Sequence, residues 1–169
     1  MTSGVLPSRS PELWWAFGAM GIATAGYLVA ARSGLPGPGD LVGHSLGVAG
    51  FLLMAFAQVG YSWRKRPHRT GPGPAYRWLA LHVFSGLVGP YLVLLHSAFR
   101  FRGLAGILSL LTLVVVLSGI AGRYWYRPSM DANPRRALWY LLHVPLSAAI
   151  AALAVFHVAG VLYYATGLR

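Results

Sequence analysis

Four histidines stand in two matched pairs, His82 with His96 and His143 with His157. Thirteen residues separate the members of each pair, and the enclosed runs are apolar and uncharged. Fourteen steps at about 100° per residue leave the second imidazole about 40° from the first, so each pair projects from one face of a helix. At about 1.5 Å per residue, the two members lie about 21 Å apart along the axis. Two such helices offer four imidazoles at two depths. Iron held on both axial faces by neutral imidazole is six-coordinate and passes electrons without binding a substrate at the metal. Two hemes, each between one histidine of either helix, would use all four.

Other chemistry fits less well. A zinc or copper site would have two histidines per depth and no Cys, Asp or Glu nearby, an incomplete ligand set. The histidines as polar bridges between helices, or as a proton relay, form the structural alternative, although ionisable groups inside a membrane carry functional weight by default. A porphyrin also needs small residues where it lies against a helix. Gly86 and Gly89 fall at +4 and +7 from His82, with Ser85 nearby, while Ser147 and Ala154 share the face of His143 and Ala151 lies at its margin. Glycine costs about 1 kcal/mol against alanine in a helix interior, which favours a packing reason for two on one stripe. Heme propionates require cations, and Arg100, four residues beyond His96, and Arg136, seven before His143, are in position to provide them. His44 and Gln58, fourteen apart on one further face, are candidates for a heme edge or a quinone. His68 sits among Arg and Lys and reads as solvated.

These residues need long apolar elements to carry them. The chain has 169 residues, 56% of them hydrophobic and 10% charged, with a mean hydropathy of +0.57. That composition belongs to a membrane protein of one domain. The net charge of +11 lies in short segments between apolar runs, a topological pattern rather than a nucleic-acid surface. The absence of cysteine excludes disulfides, Cys-ligated iron–sulfur clusters and covalent heme attachment. Five helices are expected, at about 13–31, 41–63, 76–99, 104–126 and 137–164, forming an all-α polytopic bundle with a di-heme core at about 76–164. The first is longer than a signal-peptide core and reads as retained. Pro90 and Pro145 are expected to kink the third and fifth. Trp14, Trp15, Trp63, Trp78, Trp125, Tyr126, Trp139 and Tyr140 fall near span ends and read as interfacial belts.

The basic residues orient the bundle. Arg9, Arg64, Lys65, Arg66, Arg69, Arg77, Arg123, Arg127, Arg135 and Arg136 lie on one side; Arg32, Arg100, Arg102 and Arg169 lie on the other. Ten against four puts the N-terminus inside and the C-terminus outside. The third and fifth helices then run parallel, with His82 and His143 near the cytoplasmic side and His96 and His157 near the outer side. The cytoplasmic basic loops are candidates for orientation, anionic-lipid contact or docking of an acidic redox partner.

With His82-x13-His96 and His143-x13-His157 on its third and fifth helices, the chain resembles the transmembrane di-heme b-type cytochromes. It looks most like the transmembrane domain of ferric reductases and NADPH oxidases; quinol-oxidising cytochrome b subunits use a similar spacing, generally on their second and fourth helices. The resemblance covers about 76–164 and implies that the four histidines are axial ligands of two b hemes. The sequence lacks the flavin and nicotinamide domain common in the first group and a Pro-Glu-Trp-Tyr-like motif of the second. Electrons are therefore expected from a quinol or a separate protein. The resulting expectation is an electron-transfer subunit of an oxidoreductase complex in a bacterial inner membrane, with quinol or quinone and other redox subunits as partners. A self-contained ferric or small-acceptor reductase and a heme-free membrane anchor are the alternatives.

Overall fold

A computed structural model describes residues 11–64, 75–124 and 134–167. Among these residues there are five α-helices: α1 (Pro11–Ala30), α2 (Leu41–Arg64), α3 (Ala75–His96), α4 (Gly103–Tyr124) and α5 (Pro134–Ala165). No strand occurs among the described residues. All five helices are long and apolar enough to cross a membrane. Large apolar side chains such as Ile22, Leu52, Leu110 and Phe156 are exposed along the helices. In water such a surface would drive aggregation; against lipid it matches its solvent, while the helices satisfy their own backbone groups. These features describe an integral membrane bundle.

Local chemistry sets the helix ends. Pro11 occupies the first helical position of α1, where its missing N–H costs nothing, and Glu12 complements the helix dipole. A 3-10 turn, Ala31–Ser33, closes α1 before Gly34 at φ 132°. Tyr27 Oη donates to the Pro36 carbonyl at 3.2 Å, tying the following loop back to α1. Asp40 caps α2: its Oδ1 accepts the Gly43 N–H at 2.8 Å and its other oxygen accepts from Gly37. Those two N–H groups, Gly43 first, hold the Asp40 carboxyl below the ordinary carboxylate range.

The third helix stops at His96, short of the Phe99 expected from the apolar pattern. Phe99 N–H donates to the Leu94 carbonyl at 3.1 Å and Ala98 N–H to the Leu95 carbonyl at 3.0 Å. Ala98 and Phe99 both have positive φ, 48° and 56°. This is the Schellman arrangement, which satisfies the last carbonyls and reverses the chain. It corrects the placement of Arg100, which lies in the turn, exposed, and does not extend the histidine face of α3. Helices α3 and α5 both run through their internal prolines, Pro90 and Pro145. Each proline deprives the carbonyl four residues earlier, on Gly86 and Leu141, of its ladder donor.

Helix α3 packs chiefly on α2 and next on α1; α4 packs on α5, with smaller α3–α4 and α2–α5 contacts joining the two groups. The core formed by Ala16, Tyr27, Val88, Leu92 and Leu95 lies in the first group, with Leu46, Phe84 and Tyr91 against it. Gly50 of α2 and Gly89 of α3 face each other where these helices pack. A Cβ on Gly50 would lie 2.8 Å from the Gly89 carbonyl oxygen, and one on Gly89 would lie 3.0 Å from that of Gly50. Backbone cannot yield to a methyl group, so small residues are required at this crossing. An ion pair between Arg123 Nη2 and Glu12 Oε1, 2.9 Å apart and largely buried, ties the end of α4 to the start of α1.

Candidate functional site

Close packing of α2 on α3 determines how the α3 histidines are held. His82 Nδ1 lies 2.8 Å from the Ala57 carbonyl oxygen, and His96 Nδ1 lies 2.8 Å from that of Gly43, both on α2. A carbonyl only accepts, so each Nδ1 carries the proton and each neutral ring keeps its lone pair on Nε2. The ring of His96 fits because residue 47 is glycine: a Cβ there would stand 2.7 Å from Nδ1.

His143 is held by α4. Its Nδ1 lies 2.8 Å from Ser118 Oγ, and Ser118 donates its own proton to the Val115 carbonyl at 2.8 Å. The serine oxygen therefore accepts, and His143 also carries its proton on Nδ1. Trp139, one turn earlier on α5, stacks on His143 with ring centres 5.3 Å apart and planes at 21°. Its Nε1 donates to the Ser118 carbonyl at 2.7 Å. A Cβ on Gly119 would approach His143 Cε1 to 3.1 Å, and one on Gly122 would collide with the Trp139 ring. Trp139 is thus engaged by α4 and half-buried, whereas Trp14, Trp15, Trp63 and Tyr140 are exposed.

The two groups of helices meet at His82 and His143, whose ring centres are 6.5 Å apart with planes at 70°. Two metal–imidazole bonds of about 2.0–2.1 Å, with roughly 1.2 Å from ring centre to nitrogen at each end, separate ring centres by roughly 6.5 Å. The observed separation accommodates a metal between two imidazoles and equally matches an edge-to-face ring contact. With Nδ1 protonated, a neutral ring has no proton on Nε2, so two neutral rings cannot hydrogen-bond directly through those atoms. Among the described residues no group of three or more His, Cys, Asp or Glu side chains is clustered. A two-imidazole site fits a metal whose remaining ligands come from a macrocycle. One helical turn from His82, a Cβ on Gly86 would meet nothing within 4 Å, leaving open space on the histidine face of α3.

The other sequence-derived candidates are less gathered. His157 is exposed on α5, and among the described residues no ring contact joins it to His96. Gly89, expected against a heme, faces α2, where Met54 and Gly50 take up its surface. His44 is exposed in the first turn of α2, next to the Gly43 carbonyl that holds His96; Gln58 is half-buried farther along. Arg136 lies within α5, but its side chain, like His68 and most of both basic loops, lies outside the described residues. The supporting residues Ser118, Trp139, Gly47 and Asp40 went unnoticed as functional in the sequence. Of these, only Asp40 before an apolar run carried a recognisable signal, that of a helix cap.

No family model matches the chain, and no curated protein or solved structure shows significant similarity to it.

Proposed function

We propose that the chain is a membrane di-heme b-type cytochrome subunit that carries electrons across the bilayer between a quinol or redox partner protein and an acceptor. The observation that carries the reading is the His82–His143 pair: two imidazoles 6.5 Å apart, each with its proton held on Nδ1 by a neighbouring helix. A direct Nε2-to-Nε2 bridge between α3 and α5 would need one ring to carry a second proton, because each Nδ1 already holds one. His96, likewise oriented through Nδ1, is assigned to a second heme with His157.

Heme iron bound by two imidazoles supplies one-electron chemistry without an open coordination position. The protein orients the ligands. Ala57, Gly43 and Ser118 fix ring rotation and tautomer, and acceptance of the Nδ1 proton strengthens each imidazole as a donor. Gly86 keeps the ligand face of α3 open, while apolar side chains keep the surroundings poor in water. In the proposed orientation the N-terminus is cytoplasmic, in a bacterial inner membrane, and the His82–His143 site is the inner one. Arg136 is assigned to propionates there, and His44 with Gln58 to a quinone or heme edge. Other subunits of an oxidoreductase complex supply donor and acceptor.

The test is a reduced-minus-oxidised absorption spectrum of protein purified from heme-replete cells, with a pyridine hemochrome count per chain. Two b hemes are expected, falling to one in His143→Ala and to one in His157→Ala. Heme-free wild-type protein refutes the reading.

A further inference from the structure

The three oriented histidines do not share one kind of support. His82 and His96 rest on helix carbonyls, which no side-chain substitution removes. His143 alone among them has a side-chain acceptor, the hydroxyl of Ser118, reached from α4, with the Val115 carbonyl also near the ring. That hydroxyl is committed on its other side, because its proton goes to the Val115 carbonyl. The result is a one-way chain, Nδ1–H to Oγ–H to C=O, in which each bond polarises the next. The backbone of the same residue is also held: the Ser118 carbonyl accepts the Trp139 indole N–H, and Trp139 stacks on the imidazole that Ser118 orients. Serine in a helix interior commonly turns its hydroxyl back onto its own helix; here the oxygen retains a lone pair for α5.

We propose that Ser118 is a positioning residue for the heme reading above: it keeps the His143 lone pair on Nε2 and sets the donor strength of that imidazole. This inference rests on the heme assignment, but the contact itself is testable without heme. An acceptor at Nδ1 makes the imidazole more basic and favours the oxidised metal; removing the acceptor raises the midpoint potential. The effect belongs to the His82–His143 heme and leaves the other unchanged.

Three variants in the full chain test this. In Ser118→Ala, one of two midpoint potentials rises and affinity for that heme falls about 10–100-fold, the usual effect of losing a support behind a metal ligand. Ser118→Thr, which keeps the hydroxyl, restores both. Trp139→Phe keeps the stacking ring and the Ser118 hydroxyl, so its potential stays closer to wild type than that of Ser118→Ala. Wild-type potentials in Ser118→Ala, or a Thr variant behaving like Ala, overturn the role. A second measurement uses heme-free protein labelled with 15N-histidine, with His143 assigned by difference from His143→Gln. The Nδ1–H tautomer dominates in wild type and loses its preference in Ser118→Ala; an unchanged tautomer overturns the inference. Wild-type protein that never binds heme refutes the proposed function instead, and the tautomer measurement still decides the contact.

Discussion

A methyl group at position 47 has no room. Its carbon would stand 2.7 Å from His96 Nδ1 and 2.9 Å from Cε1 and Cγ, closer than real Cβ contacts allow, on a ring already anchored to the Gly43 carbonyl. In an open helix Gly→Ala stabilises by about 1 kcal/mol. Here the ring must leave, losing a hydrogen bond of about 0.5–1.5 kcal/mol. Alternatively, the helices must part, with overpacking of about 1–3 kcal/mol. Offset by that propensity gain of about 1 kcal/mol, Gly47→Ala should therefore range from neutral to net destabilising by about 2 kcal/mol, and so fall short of Gly86→Ala. Gly86→Ala is the matched control, because its methyl meets nothing within 4 Å. It should stabilise the heme-free protein by about 1 kcal/mol, yet weaken heme binding by filling the ligand face. The assay is reversible unfolding of both heme-free variants in mixed micelles, followed by heme titration. If Gly47→Ala gains as much stability as Gly86→Ala, the placement of His96 against α2 is wrong. If Gly86→Ala leaves heme binding untouched, the open face beside His82 is not where the ring lies.

Other perturbations read different parts of the bundle. Glu12→Ala removes the carboxylate facing the largely buried Arg123 guanidinium and should cost up to about 3–5 kcal/mol, while Glu12→Leu combined with Arg123→Leu should recover most of it; equal losses in single and double variants would show that the pair does not couple α1 to α4. Asp40 predicts a pH dependence. Its folded carboxyl titrates below the unfolded value of about 3.9, so its support for the start of α2 is complete above that pH and drains away as pH falls through the lower folded value. Asp40→Asn keeps a capping oxygen and should abolish this acid sensitivity, read as amide exchange at Gly43; an identical acid profile in both proteins would discount the carboxylate.

Much of the scaffold was legible because a bilayer imposes one simple rule on sequence. A helix that crosses it must be about 20 residues long and apolar, so the five spans stood out, with ends displaced by only a few residues. One of the two three-residue displacements came where no glycine or proline marks the stop: Ala98 and Phe99 reverse the chain after His96, although neither residue type announces it. The two glycines of the stripe part company in the fold: Gly86 borders open space, whereas Gly89 meets Met54 and Gly50 of α2. Periodicity names a helix face but not the neighbour that covers it, and Gly89 turned out to serve the crossing with α2.

By itself, the sequence determined which residues belong to helices and that His82 with His96, and His143 with His157, each share a face, because both follow from local periodicity. Only the tertiary structure decided that α2 and α4 act as supports, through the carbonyls of Ala57 and Gly43 and the hydroxyl of Ser118. It also decided that His82 and His143 meet ring to ring while His157 remains exposed. A backbone carbonyl has no signature in the amino-acid sequence, and a serine in an apolar run has no partner until another helix is laid against it. The tautomer of a histidine, and with it the nitrogen left for a metal, is therefore a property of packing.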